Sequence, residues 1–181
     1  NNISSGENFN IGFNGYYIWA WGQNNLSQLG DYTSVDRSTP VLVYYQQQQY
    51  VCKISSGNEH TLILNDIGQI FSWGNNINGQ LGIGSTANRS SPTQVGLLND
   101  WKDIYCGEQY TIAIKTNGTL WAWGLNSSGQ LGNNTMANTS NPVQIGSLTN
   151  WTQVSCGENH TAAIKTDGTL WAWGDNAYGQ L

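Results

Sequence analysis

Charge is what this sequence has least of. Asp, Glu, Lys and Arg together make up only 9% of its 181 residues, with a net charge of −5. The basic residues Arg37, Lys53, Arg89, Lys102, Lys115 and Lys165 are scattered, with no stripe that could follow a line of phosphates, which argues against a nucleic-acid partner. No apolar run approaches the roughly 20 residues that span a bilayer, so no membrane partner is expected. No signal or transit segment is visible, and the first residue is Asn, which reads as a mature form or an excised piece. The 3 cysteines lack metal spacing. The acidic balance suits a basic protein partner but is also ordinary for solubility.

What the sequence has instead is repetition. Seven of its 9 tryptophans lie in "WAWG" at 19–22, 121–124 and 171–174 and "FSWG" at 71–74. Gly6, Gly57, Gly107 and Gly157 stand 51, 50 and 50 residues apart, and Gly22, Gly74, Gly124 and Gly174 follow them by 16, 17, 17 and 17. "SQLG", "GQLG" twice and "GQL" come next, with Pro40, Pro92 and Pro142 each 11 residues beyond the Leu. Such fixed order defines repeats of about 50 residues, approximately 1–51, 52–101, 102–151 and an incomplete 152–181, in one domain over 1–181.

Each repeat reads as β. "TAAIKTDGTLWAWG" and "TIAIKTNGTLWAWG" are apolar runs around Asp-Gly and Asn-Gly, the pairs that favour a two-residue type I′ hairpin. That loop sets Thr166 opposite Thr169, Ile164 opposite Trp171 and Ala162 opposite Trp173, with Ala163, Leu170 and Ala172 on the other face. One face is then bulky and the other small, so sheets stack large side into small side around an axis as a β-propeller. Trp19, Trp21, Trp73, Trp121, Trp123, Trp171 and Trp173 are expected to fill these interfaces, each burying on the order of 200 Å², or roughly 5 kcal/mol before entropy. The repeat glycines Gly57, Gly107 and Gly157 are expected to be structural too. In the first repeat a bulge at Tyr16-Tyr17 would restore Trp19 and Trp21 to the core.

Other residues read as packing. Cys106 and Cys156 would lie on neighbouring sheets about 10 Å apart, beyond the roughly 4.4–6.8 Å Cα separation of a disulfide, so buried free thiols are expected. His60 and His160 share a repeat position with Phe9 and Tyr110, and a position that takes Phe or Tyr is a packing position. No third group recurs beside either histidine, so no catalytic, cofactor-binding or metal-binding residues are assigned and no enzyme is expected. Asn24, Asn76, Asn126 and Asn176 fit Asx-turns. The sequons at Asn25, Asn88 and Asn138 are expected by chance in so Asn-rich a chain, and "LGIGSTANR" lacks the Lys-Ser/Thr of a phosphate loop. Tyr44, Tyr45 and Tyr50 flank four glutamines in "YYQQQQY", either an adhesive loop or an irregular connection.

The order [S/C]-G-x-x-[H/Y]-T, D/N-G-T-L-W-A-W-G-x-N, G-Q-L-G and then Pro resembles the regulator-of-chromosome-condensation repeat over essentially the whole chain. The resemblance implies four-stranded blades, usually seven in a closed ring, here about 3.6 repeats of a longer or self-assembling propeller. It also implies that Glu7, Glu108 and Glu158, which follow the repeat glycine, lie at a mouth of the central channel, where carboxylates could meet a cation or a partner's Lys or Arg. The family's plant ultraviolet receptor carries tryptophans at that place, where this chain has Glu7, Asn58, Glu108 and Glu158, so its photochemistry is not expected. Members of this family differ in function, among them exchange factors for a small nuclear GTPase, ubiquitin-ligase subunits and a β-lactamase inhibitor.

The expectation is therefore a non-enzymatic scaffold binding a protein through loops on one face. Nucleotide exchange on a small GTPase is the first alternative, and glycan binding at an extracellular or virion surface the second. Such a surface is weakly favoured over the cytoplasm. The open edges of the end sheets invite pairing, as a homo-oligomer or within a longer chain.

Overall fold

The computed structural model describes residues 3–43 and 49–181. Its strands, in chain order, are β1 (Ile3–Ser5), β2 (Phe9–Phe13), β3 (Ile18–Gly22), β4 (Arg37–Val43), β5 (Val51–Ser56), β6 (His60–Asn65), β7 (Ile70–Gly74), β8 (Arg89–Gln94), β9 (Trp101–Cys106), β10 (Tyr110–Lys115), β11 (Leu120–Gly124), β12 (Thr139–Gln144), β13 (Trp151–Cys156), β14 (His160–Lys165) and β15 (Leu170–Gly174). Strands adjacent in sequence pair antiparallel, giving three four-stranded sheets, β1 to β4, β5 to β8 and β9 to β12, and one three-stranded sheet, β13 to β15. The first strands of successive sheets, β1, β5, β9 and β13, lie side by side. The sheets are thus propeller blades, each contributing its leading strand to the centre.

The hairpins differ from the expected two-residue turn. In the last blade Gly168 N donates to Lys165 O and Lys165 N to Thr169 O, so three residues, Thr166 to Gly168, make the loop. Gly168 sits at φ +82°, the left-handed residue of a turn followed by a one-residue bulge. The Asp167 carboxylate accepts from Thr169 N and Oγ1 at 3.0 and 2.7 Å, as Asn117 Oδ1 does from Thr119, and these bonds favour the longer loop. One extra residue moves every pair: Ile164 faces Leu170, Ala163 faces Trp171 and Thr161 faces Trp173. The faces are corrected accordingly. Trp171 and Trp173 share theirs with small residues, while Ile164 and Leu170 line the other with Ala162 and Ala172.

The first blade shows the opposite irregularity. Asn14 N donates to Tyr17 O around a two-residue turn at Gly15-Tyr16, and Phe13 pairs directly with Ile18. No bulge forms at Tyr16-Tyr17. The shorter loop itself keeps Trp19 and Trp21 in register, since Asn10 faces Trp21 as Thr61 faces Trp73.

Between blades, the second tryptophan of each doublet is the anchor. Trp73 Nε1 donates to Gln28 O, Trp123 to Gln80 O and Trp173 to Gln130 O, each at 2.9 Å. Trp73 and Trp123 are fully buried, whereas Trp19, Trp21, Trp121 and Trp173 are half-buried and Trp171 is exposed. The doublets are therefore not uniformly core. Trp101 packs edge-on against Trp121 and Trp123, and the Lys115 ammonium lies 4.9 Å from the Trp101 ring and 4.4 Å from the Trp121 ring. Lys165 repeats this with Trp151 and Trp171, while in the second blade Val51, Asn65 and Phe71 hold the three places.

Asn24, Asn76 and Asn126 are not Asx-turns but buried staples. The Asn126 side chain accepts from Leu131 N and donates to Thr135 O and Ala137 O, and its backbone N donates to Asn138 Oδ1. Asn76 does the same with Leu81, Ser85, Ala87 and Asn88. One carboxamide thereby shapes a whole connection in which backbone groups would otherwise lack partners.

Candidate functional site

The ends of the four leading strands surround a cavity of about 660 Å³ whose rim carries Glu7, Asn58, Glu108 and Glu158. The repeat glycine makes room for this arrangement. A Cβ on Gly57 would stand 2.2 Å from the His60 ring, and one on Gly107 1.9 Å from the Tyr110 ring. The aromatic ring three residues on thus lies against the glycine, and Gly157 seats His160 in the same way. Adjacent blades are then laced together, with Glu7 N donating to Asn58 O and Asn58 N to Glu108 O at 3.0 and 3.1 Å. Asn58 Nδ2 also donates to Glu108 Oε1 at 2.9 Å. Burial, with the nearby Glu158 charge behind it, pushes the Glu108 carboxyl above its ordinary value.

The three thiols are free, as expected, but they are not all buried. Cys52 is exposed and Cys106 and Cys156 are half-buried, the latter two lining the cavity. Burial pushes Cys106 up to about 12 and raises Cys156 as well, so both remain protonated thiols at neutral pH. His60 is fully buried, its Nε2 3.3 Å from Thr111 Oγ1, and burial holds its pKa down to about 3. Among the described residues no group of three or more His, Cys, Asp or Glu could hold a metal ion.

The tyrosine candidates lie elsewhere. Tyr44 and Tyr45 fall outside the described residues, and Tyr50 belongs to the opposite end of the blades from Glu7, Glu108 and Glu158. There Val51 N donates to Gly15 O, and the Tyr50 ring packs edge-on against Tyr16 at 5.4 Å. Tyr16 and Tyr17 are 62% and 55% exposed, and Tyr17 meets Trp19 at 5.9 Å. Sequence reading assigned Tyr16 and Tyr17 to a bulge and missed this surface, although the extra aromatic residues in "GYYI" were its signal.

Charge divides between the two ends. At the glutamate end lie Glu7, Asp31, Asp36, Glu59, Glu108, Glu158 and Asp175 against only Arg37 and Arg89. The other half balances Asp66, Asp100, Asp103 and Asp167 with Lys53, Lys102, Lys115 and Lys165, so the whole net charge of −5 resides at the glutamate end. Two of those lysines are directly paired, Lys53 with Asp103 and Lys115 with Asp100. At the glutamate end Arg37 pairs at 2.7 Å with Asp31, whose side chain is 5% exposed, and in the other half Lys102 is exposed.

A family model described as the RCC1-like domain matches residues 1–181. The ultraviolet-B receptor UVR8 of Arabidopsis thaliana is 35% identical over 82 residues, 45% of this chain and 19% of the receptor. Protein RCC2 of Mus musculus is 34% identical over 79 residues, 43% of this chain and 15% of that protein. Among solved structures, human WBSCR16 superposes with a TM-score of 0.83 at 22% identity, covering 95% of this chain and 46% of that one. Yeast RCC1 (Prp20) bound to Kap60 gives 0.80 at 25%, covering 93% and 40%. A further Prp20p structure from Saccharomyces cerevisiae, described with its binding properties to Gsp1p and histones, gives 0.79 at 22%, covering 95% and 42%. The chain spans less than half the length of each of these.

Proposed function

The chain belongs to the RCC1-like domain family, and we propose that it acts as a non-catalytic scaffold that recognises a basic protein surface through the loops at its glutamate end. The observation that carries this reading is the confinement of the net charge of −5 to that end, with Glu7, Glu108 and Glu158 around the cavity rim. Like charges held together on a rigid rim attract cationic side chains and speed their encounter. Burial chiefly raises the Glu108 carboxyl, and a partner's Lys or Arg would relieve the smaller part that comes from the Glu158 charge. Histones, named with the yeast relative, are basic proteins of the required kind.

Core histones immobilised on a biosensor provide the test. Binding should weaken at least about tenfold when Glu7, Glu108 and Glu158 are all changed to Gln, and should fall as salt is raised. Absence of binding, or binding indifferent to the triple change, would sink the proposal.

A further inference from the structure

Beneath the glutamate rim the leading strands end in a layer of their own. Their last residues are Ser5, Ser56, Cys106 and Cys156, one from each blade, and all four line the cavity. The first two blades thus present hydroxyls there, and the last two present thiols. Both thiols are free. One repeat of 50 residues separates the cysteines along the chain, so the pair has no spacing signature. It arises only because successive blades repeat one register.

Hydrogen bonds from both sides hold the two sulfurs as neighbours. On the side of the second blade, Cys106 N donates to Ser55 Oγ at 3.0 Å, and the Cys106 thiol donates to Ser55 O at 3.3 Å. Across the next interface the Tyr110 ring lies against Gly107, the residue after Cys106. Its hydroxyl donates to the carbonyl of Gly157, the residue after Cys156, at 3.3 Å. One phenol ring therefore bridges the two strand ends. The same hydroxyl reaches the Cys156 thiol, and charge on Cys106 is felt at Cys156.

The chemistry of this pair is narrow. Among the described residues no group of three or more His, Cys, Asp or Glu gathers around a point, so the thiols have no further ligand of that kind. Structural zinc takes four such ligands, and calcium and magnesium take oxygens. Two sulfurs alone suit a soft monovalent ion. The acidic rim above them favours entry of cations into the cavity.

We propose that Cys106 and Cys156 form a two-coordinate site for copper(I) at the floor of the cavity. Both S–H protons leave to solvent as two S–Cu bonds form, with no change of oxidation state. Two thiolates and one copper(I) leave a single net negative charge. The Lys53 ammonium, whose field acts on both sulfurs, offsets it. The rim glutamates are not ligands, so the site stands apart from the recognition of basic proteins.

Titration of the full 181-residue chain with copper(I), without oxygen and against a chromophoric copper(I) chelator, should show one ion held per chain. Cys106→Ser and Cys156→Ser should each weaken binding at least about hundredfold, since loss of a mere outer partner costs about 10–100-fold. Serine already ends the leading strand in the first two blades, so circular dichroism of both variants should match the wild type. Cys52→Ser should leave the affinity unchanged, because that exposed thiol stands near the start of β5, at the other end of the blade. The triple change of Glu7, Glu108 and Glu158 to Gln should keep the ion, which separates this test from that of histone binding. X-ray absorption of the wild-type complex needs no variant and should show two sulfur neighbours. Failure to retain an ion, full retention by either variant, or a copper ion held by oxygen or nitrogen would each overturn the site.

Discussion

Residues 111–124 and 161–174 have almost the same sequence, differing only as Ile112 against Ala162 and Asn117 against Asp167. Their strands and registers are the same, yet their burial is not. Leu120 and Ile114 are fully buried, whereas Leu170 and Ile164 are 70% and 36% exposed. Trp123 is fully buried and its counterpart Trp173 is only half-buried. Local sequence therefore sets strand, turn and face, while the neighbouring blade supplies the core. This is the behaviour of a quasi-one-dimensional array, in which each unit draws its stability largely from interfaces with the units beside it.

Truncation at matched positions should expose the difference most strongly. Trp123→Ala is expected to cost about 3–5 kcal/mol and Leu120→Ala about 2–5, since both empty a closed interface. Leu170→Ala should stay within about 0.5 kcal/mol. Urea denaturation of the three variants measures this. Equal losses at Leu120 and Leu170 would mean that the back of the last blade is covered in solution.

The same contrast shows what could be read from the sequence. The repeat period, the strand content and the pairing of neighbouring strands were legible because glycine, tryptophan and proline recur at fixed distances. Register was not, because Asn-Gly and Asp-Gly serve two-residue and three-residue hairpins alike. The deciding bonds run from Thr119 and Thr169 to the side chains of Asn117 and Asp167. The asparagine staples were also hidden, since Asn126 bonds groups 5 to 12 residues away rather than its own turn. At the cavity rim, the recurrence of glutamate was visible, but its place relative to Tyr50 was not. That depends on which connections share an end of the blade, and only the strand order supplies it. The seating of a ring against Gly57 or Gly107 had a sequence signal, the constant three-residue spacing to His60 or Tyr110, whose meaning required the close approach to be seen.

A staple inside the array should matter more than one at its end. Asn126 is fully buried and its side chain bonds both a backbone donor and two backbone carbonyls, whereas Asn176 is exposed and its side chain accepts from Leu181 N. Asn126→Ala is expected to lose about 2–3 kcal/mol, the cost of leaving buried polar groups unpaired. Asn176→Ala should lose less than about 0.5 kcal/mol. Thermal melts of both variants provide the comparison, and a neutral Asn126→Ala would show that water satisfies the connection equally well.

His60 offers the finest probe, because there the second and first blades differ by one chemical group at a shared position. Phe9 and His60 both lie against a repeat glycine, and both are almost wholly buried. Only His60 can take up a proton. Burial holds it down to about 3 from an ordinary value of 6.5, so the unfolded chain binds a proton that the folded chain refuses. Folded-state stability from this group is complete above pH 6.5 and is lost as pH falls from there towards 3. His60→Phe places the first blade's residue in the second and removes that titration. At neutral pH the change should be small, within about 1.5 kcal/mol either way for a swap of similar bulk, since the bond to Thr111 is lost while ring packing is retained. At pH 4 to 5 the variant should unfold at higher urea relative to wild type than it does at pH 7. Parallel curves for the two proteins over that range would show that His60 protonates in the folded state, and that its interface admits water where Phe9's does not.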